Sequence, residues 1–463
     1  MKNIWKNTKE LEKAAGGICS IEKGELKISD AKALREKLID ELAWNAVFNL
    51  DEKIRDTARW YIWEASQALG CPSSSIQELY MERAHNEYES MTVPAINIRG
   101  LTYDVARTVF RSMKKASSWA TLFEIAKSEM EYTKQRPAEY ASMILAAAIK
   151  EGHGGPVFIQ GDHFQANAKK FAANAAEEIA SLKKLIEEAV SAGFYNIDID
   201  SSTVVDLSRP TVLEQQRANF EACAELTKHI RKLEPQGITI SVGGEIGEVG
   251  GKNSTIEELT TFMEGYLKAL GTAKNRLTGI SKISVQTGTS HGGVPLPDGT
   301  VAKVKLDFDV LEQLGELARE QFHIGGVVQH GASTLPEAAF DNFPKKQTLE
   351  VHLATGFQNL TYDSKAFPQD LKKKIYDWLT KNCAKEKKEG DTEEQFIYKT
   401  RKKGFGPFKL DMWSLSDTAK VGIMADLEKT FDLHFKKLNV AGSKNMVERY
   451  VKKVSVHRRP PVM

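Results

Sequence analysis

Cysteine is scarce. Cys19, Cys71, Cys223 and Cys383 lie far apart with no CxxC spacing, which argues against a zinc ribbon or a disulfide framework and fits a reducing compartment. No run approaches eighteen apolar residues, and the start of the chain, Met1 to Lys6, has no apolar signal core, so neither membrane insertion nor secretion is expected and a cytoplasmic location is. Neither charge sign dominates: 64 basic residues face 62 acidic ones, so no overall field recruits nucleic acid or membrane, and any phosphate must be recognised locally. Familiar catalytic strings are missing too. There is no GxSxG elbow and no HExxH, and the glycine-rich run 243 to 251 ends Gly251-Lys252-Asn253, without the Ser or Thr that a P-loop places after its lysine.

What is present is alternation. Residues 1–90 carry helical spacing, with Trp60, Trp63 and Leu69 as an aromatic stripe expected to pack against the main domain. From Val93, short β-branched runs alternate with helical segments: 93–98, 121–126, 157–160, 196–200, 238–242, 282–286, 326–329 and 349–353. Eight such units predict an α/β fold, a (β/α)8 TIM barrel over 91–362, in preference to an open doubly wound sheet. A helix is expected over Ala168 to Ala192, stopped by Gly193, and a capping box from Thr255 to Glu258. The remainder, 363–463, reads as a charged helical extension. Its cluster Phe405, Phe408, Leu410, Met412 and Trp413 should pack on the barrel or on a second subunit, and a homo-oligomer, dimer or tetramer, is expected.

The polar residues at the strand ends carry the chemistry. The third strand runs into Asp162-His163, the fourth into Asp200-Ser201-Ser202, the fifth into Glu245, the sixth into His291 and the seventh into His330. One histidine in such a place would be read as structural. Three on one rim suit Zn²⁺ or a similar divalent ion with an open coordination position, and leave Asp162 free as general acid and base on a hydroxyl. Gly292, Gly331, Ser333 and Thr355 are either phosphate contacts or simply tight turns.

Together these motifs resemble the class II, metal-dependent ketose-bisphosphate aldolases. Val93-Pro94-Ala95-Ile96-Asn97 is similar to the opening strand of that family. Gly161-Asp162-His163, Asp198 to Ser202, Glu245-Ile246-Gly247, Gly288 to Gly292 and His330-Gly331-Ala332-Ser333 follow in the family's order, over about 93 to 360. The resemblance implies His163, His291 and His330 as metal ligands and Asp162 as acid and base. It implies Glu245 as an alternative or second-site ligand and Asp200 as support for the metal shell. Asn97 and Ser128 are placed near the substrate.

The sequence also departs from the pattern. Lys252 and Asn253 stand where the family has acidic loop residues, leaving Glu248 as the nearest candidate for the proton on the nucleophilic carbon. His352-Leu353-Ala354-Thr355 replaces the family's Asn-x-Asp-Thr, and an insertion from Val294 to Thr300 displaces a phosphate-binding lysine, for which Lys303 or Lys305 could compensate. The expected activity is reversible cleavage of a ketose bisphosphate, by default fructose 1,6-bisphosphate, to dihydroxyacetone phosphate and glyceraldehyde 3-phosphate. The alternatives are a metal-dependent aldolase or epimerase acting on a singly phosphorylated or free ketose, and a non-catalytic aldolase-like subunit.

Overall fold

The computed structural model describes residues 3–247, 251–271, 277–288, 296 and 306–461. Eight parallel strands form its centre: β1 Val93–Asn97, β2 Leu122–Ala126, β3 Val157–Gln165, β4 Asn196–Asp200, β5 Ser241–Glu245, β6 Lys282–Val285, β7 Val327–Gln329 and β8 Glu350–Leu353. Each pairs with the next in the sequence, and β8 pairs with β1 from Glu350 opposite Val93 to Leu353 opposite Ile96. That last pairing closes the sheet, so the fold is a (β/α)8 barrel and not an open sheet. The residues of β1, β2 and β4 are buried on both faces, as a barrel wrapped by helices requires.

The expected helix ends hold locally. Thr255 Oγ1 accepts from the Glu258 N–H at 3.2 Å, and the Glu258 carboxylate accepts from the Thr255 N–H at 2.8 Å. Gly193 stops its helix at φ +100. The single helix expected from Ala168 breaks into Ala168–Ala173 and Ala175–Ala192, because Asn174 leaves helical geometry to cap the second piece.

Two strand assignments shift. β3 runs on to Gln165, carrying Asp162 and His163 inside the strand. β5 starts at Ser241, three residues later than expected, and takes in Gly243, Gly244 and Glu245. At Gly243 the reason is space inside the barrel, since a Cβ there would fall 2.3 Å from Asp198 Oδ1. Between β7 and β8 no long helix forms, only short turns and Asn342–Lys345. Asp417–Lys437, from the C-terminal extension, packs there through His434, whose ring lies 4.5 Å from Phe340 and 5.8 Å from Phe357.

Both extensions fold back on the barrel. The N-terminal one is mostly helical, with a small hairpin, Cys19–Glu22 with Glu25–Ile28, and a two-residue strand, Ser73–Ser74, that pairs in parallel with the start of β3; the periodicity revealed neither. The Trp60 and Trp63 indoles donate to the carbonyls of Arg458 and Val456 at 2.8 and 2.6 Å, so that stripe also holds the end of the chain. Trp413 sits among Trp44, Phe48 and Tyr103, and Phe405 lies 5.1 Å from Tyr362, so the aromatic cluster packs on the barrel and the N-terminal helices. All four cysteines are buried and free. Among the described residues no helix is long and apolar enough to cross a membrane.

Burial without a charge partner pushes the His434 imidazole down to about 4. Its Nδ1 has no hydrogen-bond partner among the described residues. The unfolded chain therefore binds a proton that the folded chain refuses. The resulting stability is complete above the ordinary value of 6.5 and is lost as pH falls towards 4. Urea unfolding should show that His434→Phe reduces the loss of stability between neutral pH and pH 4.5 by about 2 kcal/mol.

Candidate active site

The site begins with an irregularity in β3. In a regular strand Asp162 and His163 would face opposite sides of the barrel wall. Gly161 lies opposite Ile197, but Phe164 lies opposite Ile199, so β3 holds one residue more than β4 in this stretch, a β-bulge. His163 takes φ +41, a left-handed geometry that costs on the order of 1 kcal/mol. Phe164 folds back over Gly161, where a Cβ would fall 2.4 Å from its ring. The bulge turns Asp162 and His163 towards the same rim.

There they meet His330. Asp162 Oδ1 is 3.7 Å from His163 Nε2 and 3.9 Å from His330 Nδ1, and the two imidazole centroids are 4.1 Å apart. One ligand atom from each of Asp162, His163 and His330 lies within 4.8 Å of the others. His163 Nδ1 is 3.1 Å from Asp200 Oδ2, which also accepts from Gln165 at 2.6 Å, while Asp200 Oδ1 accepts from Ser202 Oγ at 2.8 Å. A histidine held this way through one nitrogen offers the other to an ion. His330 Nε2 lies 2.9 Å from Ser284 Oγ and 3.5 Å from Glu245 Oε2. Burial works against charge on His163, but Asp162, Asp200 and Glu245 outweigh it and hold the imidazole well above its usual range. Carboxylates that favour an imidazolium favour a metal cation at the same place. His163 and His330 offer imidazole donors suited to Zn²⁺ and related divalent ions, with the Asp162 carboxylate beside them.

Beneath this rim the barrel interior is charged. Lys282 Nζ on β6 reaches Gln160 at 2.7 Å, Asp198 at 3.0 Å and Glu350 at 2.5 Å. His352 Nε2 is 2.6 Å from Glu350, and its Nδ1 lies 3.0 Å from Glu124 and 3.2 Å from Asp162. Tyr80 also bonds to Glu350. Burial opposes charge on His352, but Glu124, Asp162 and Glu350 hold it well above the usual imidazole range. Burial, then the Asp162 charge, raises Glu124. Glu350 stays low against burial because Lys282 and His352 face it.

Above the rim opens a cavity of about 500 Å³. Its walls include Asn97, Ser128, Asp162, His163, His330, Gly331, Ser333 and Thr355, so the structure gathers these expected residues around one space. Asn97 donates to Glu129 at 2.6 Å, Ser333 Oγ accepts from the Gly356 N–H at 3.1 Å, and Thr355 Oγ1 accepts from Arg99 at 3.3 Å. Gly331 supplies the left-handed turn after His330, at φ +70. Glu245 and Asp200 line a smaller chamber of about 120 Å³ that shares His163 and His330 with the larger one. His291, Gly292, Glu248, Lys303 and Lys305 lie outside the described residues. Lys252 and Asn253 point elsewhere, to Glu258 at 3.1 Å and Asp307 at 3.1 Å.

Comparison with known proteins fits this geometry. A family model described as fructose-bisphosphate aldolase class-II matches residues 78–402, well over half of the chain. The chain belongs to that family. Class II aldolases are metal-dependent, and this member has a His and carboxylate group able to hold an ion. No curated protein matches it. Among solved structures, the glycerol-complexed fructuronate-tagaturonate epimerase UxaE from Cohnella laeviribosi is 11% identical, with 83% of this chain and 86% of that chain covered at a TM-score of 0.55. A probable tagatose 6 phosphate kinase from Sinorhizobium meliloti 1021 is 16% identical, with 80% and 95% covered at a TM-score of 0.51. At such identities the likeness is one of fold.

Within this aldolase-family chain, several residues at the site were not anticipated. His352 is more than the replacement for a family asparagine, since it meets Glu124 of β2 and Asp162 of β3 across the barrel and Glu350 on its own strand. Glu124, Asp198, Lys282 and Glu350 form its surroundings. The signal was present as charged residues inside apolar strands at a spacing of two, as in Asp198-Ile199-Asp200 and Glu350-Val351-His352. Arg99, Glu129 and Lys402 carried no such signal. Removing the central cation should be costly: Lys282→Met leaves Asp198 and Glu350 buried without it, and denaturant unfolding should report a loss of about 3–5 kcal/mol.

Proposed function

We propose that the chain is a divalent-metal-dependent aldolase that reversibly cleaves a ketose bisphosphate. Fructose 1,6-bisphosphate is the default substrate, giving dihydroxyacetone phosphate and glyceraldehyde 3-phosphate. The observation that carries this reading is the convergence of Asp162, His163 and His330 within 4.8 Å at the floor of a cavity, in a chain of the class II family.

His163 and His330 would hold the ion, with His291 as the third imidazole and Zn²⁺ as the metal that best suits them. Glu245, beside His330, is an alternative or second-site ligand, and Asp200 fixes the His163 ring. A divalent ion there supplies Lewis acidity, polarising the ketose carbonyl and carrying the charge that develops as the adjacent carbon-carbon bond breaks. Asp162 takes the proton from the C4 hydroxyl during cleavage and returns it during condensation. Its contact with His352 keeps the carboxylate turned to the cavity. Gly331, Ser333 and Thr355, with Gly292, receive a phosphate, and Asn97 borders the sugar. Glu248 is the candidate for the proton on the nucleophilic carbon.

A second reading has one observation in its favour. His352 and Ala354, at the end of β8 and just past it, stand where the family has the Asn and Asp that help hold dihydroxyacetone phosphate, and His352 is committed to Glu350, Glu124 and Asp162. The similar solved structure named above is a fructuronate-tagaturonate epimerase. An epimerase or aldolase acting on a different ketose would use the same metal, the same Asp162 and a different end-group.

Chelation should abolish cleavage and added zinc should restore it, whereas a chelated sample turning over at the full rate would sink both readings. His163→Ala and His330→Ala should each lose zinc on elemental analysis. Asp162→Asn should keep the metal while turnover falls by about 10²–10⁴-fold in a coupled assay.

A further inference from the structure

Part of the wall of the cavity that the metal-binding group lines is built from three unconnected pieces of the chain. Arg99 follows β1, Glu129 and Tyr132 come from the helix Lys127–Thr133, and Lys402 comes from the turn Arg401–Gly404 of the C-terminal extension. Of the three basic residues in that turn, two are already engaged. Arg401 binds Asp363 at 2.9 Å and Asn359 at 2.6 Å, and Lys403 binds Glu386 at 2.5 Å. Lys402 instead lines the cavity with its Nζ 5.7 Å from the centre of the Tyr132 ring, and among the described residues it has no hydrogen bond and no carboxylate within 4 Å.

The nearby carboxylate is spoken for. Glu129 receives Arg99 Nε at 2.7 Å and Asn97 at 2.6 Å, and Arg99 is further held by Gln358 at 2.8 Å and Thr355 at 3.3 Å. Arg99 and Glu129 offset each other, and Glu131 of the same helix lines the cavity without coming within 4 Å of Lys402, so among the described residues the Lys402 ammonium has no carboxylate partner on its half-buried wall. Burial, and then the Arg99 charge, lower its affinity for a proton. A solvated lysine would sit in water; this one is held over an aromatic ring in a space large enough for a sugar.

We infer that Lys402, backed by Tyr132 and Arg99, is the recognition point for an anionic end-group of the substrate, a single carboxylate or phosphate. This rests on the reading above that the cavity takes a ketose, and it adds the side chains that meet that ketose's charged end beside the C-terminal extension. Its ion pair with the ligand is formed in a partly desolvated place, where charge-assisted bonds are strongest.

The test uses chelated full-length protein, so that it does not depend on metal chemistry. Inorganic phosphate and gluconate are titrated calorimetrically into the wild type, Lys402→Met and Lys402→Arg. The wild type should bind at least one of them, Lys402→Met should weaken that binding by about tenfold or more, and Lys402→Arg should largely retain it. Preference for phosphate identifies a phosphorylated ketose, and preference for gluconate a sugar acid. Equal binding by the wild type and Lys402→Met, or no binding of either anion by the wild type, overturns the inference. If Lys402→Met loses the anion while the zinc-loaded wild type cleaves no ketose phosphate, the anion site stands and the aldolase reading falls. If the zinc-loaded Lys402→Met enzyme cleaves an anionic ketose with unchanged KM, the anion site falls and the aldolase reading stands.

Discussion

The extra residue in β3 is the constraint on which the site depends. A strand that alternates strictly can offer a rim only one of two adjacent side chains, and here both a carboxylate and an imidazole come within reach of His330. The bulge between Gly161 and Phe164 solves this by spending one unpaired residue and a left-handed His163, and the price is kept small by Phe164 lying over the glycine. Straightening the strand would turn either Asp162 or His163 into the barrel wall, separating the carboxylate from the imidazole.

The second constraint is electrostatic. Barrel interiors are usually filled by branched apolar side chains, but this one is filled below the rim by Glu124, Asp198 and Glu350 balanced against Lys282 and His352. Buried charge is tolerable only when each group is met by an opposite one or a hydrogen bond, so these positions are mutually dependent. The network ends on Asp162, which links the charge balance of the interior to the carboxylate that faces the cavity. The glycine at 243 is part of the same arrangement, since it leaves Asp198 the room to reach Lys282.

Much of this was legible in the sequence, for physical reasons that differ between elements. The strands could be read because parallel strands buried on both faces are short apolar runs, and the histidines because each stands just past such a run or at its end. The bulge was not legible: an extra residue leaves no mark on hydrophobic pattern, and Asp162-His163 read as the loop after a strand that in fact continues to Gln165. The role of His352 was hidden because Glu124 and Asp162 come from β2 and β3 and reach it only when the barrel closes, although Glu350 stands two residues before it on β8. Lys402 looked like one more charge in a basic stretch, 401–403, and only the ion pairs of its two neighbours set it apart. The missing helix after β7 follows from Pro336 and Pro344, which break that segment into turns, while the helix that covers it lies some eighty residues further along the chain.

The central claim is that His163 and His330 share one cation beside Asp162. X-ray absorption at the zinc edge of the reconstituted full-length protein tests it most directly. The account predicts imidazole nitrogens at about 2.0–2.1 Å, with one fewer in His330→Ala. A zinc spectrum with the same imidazole count in the wild type, His163→Ala and His330→Ala would contradict it.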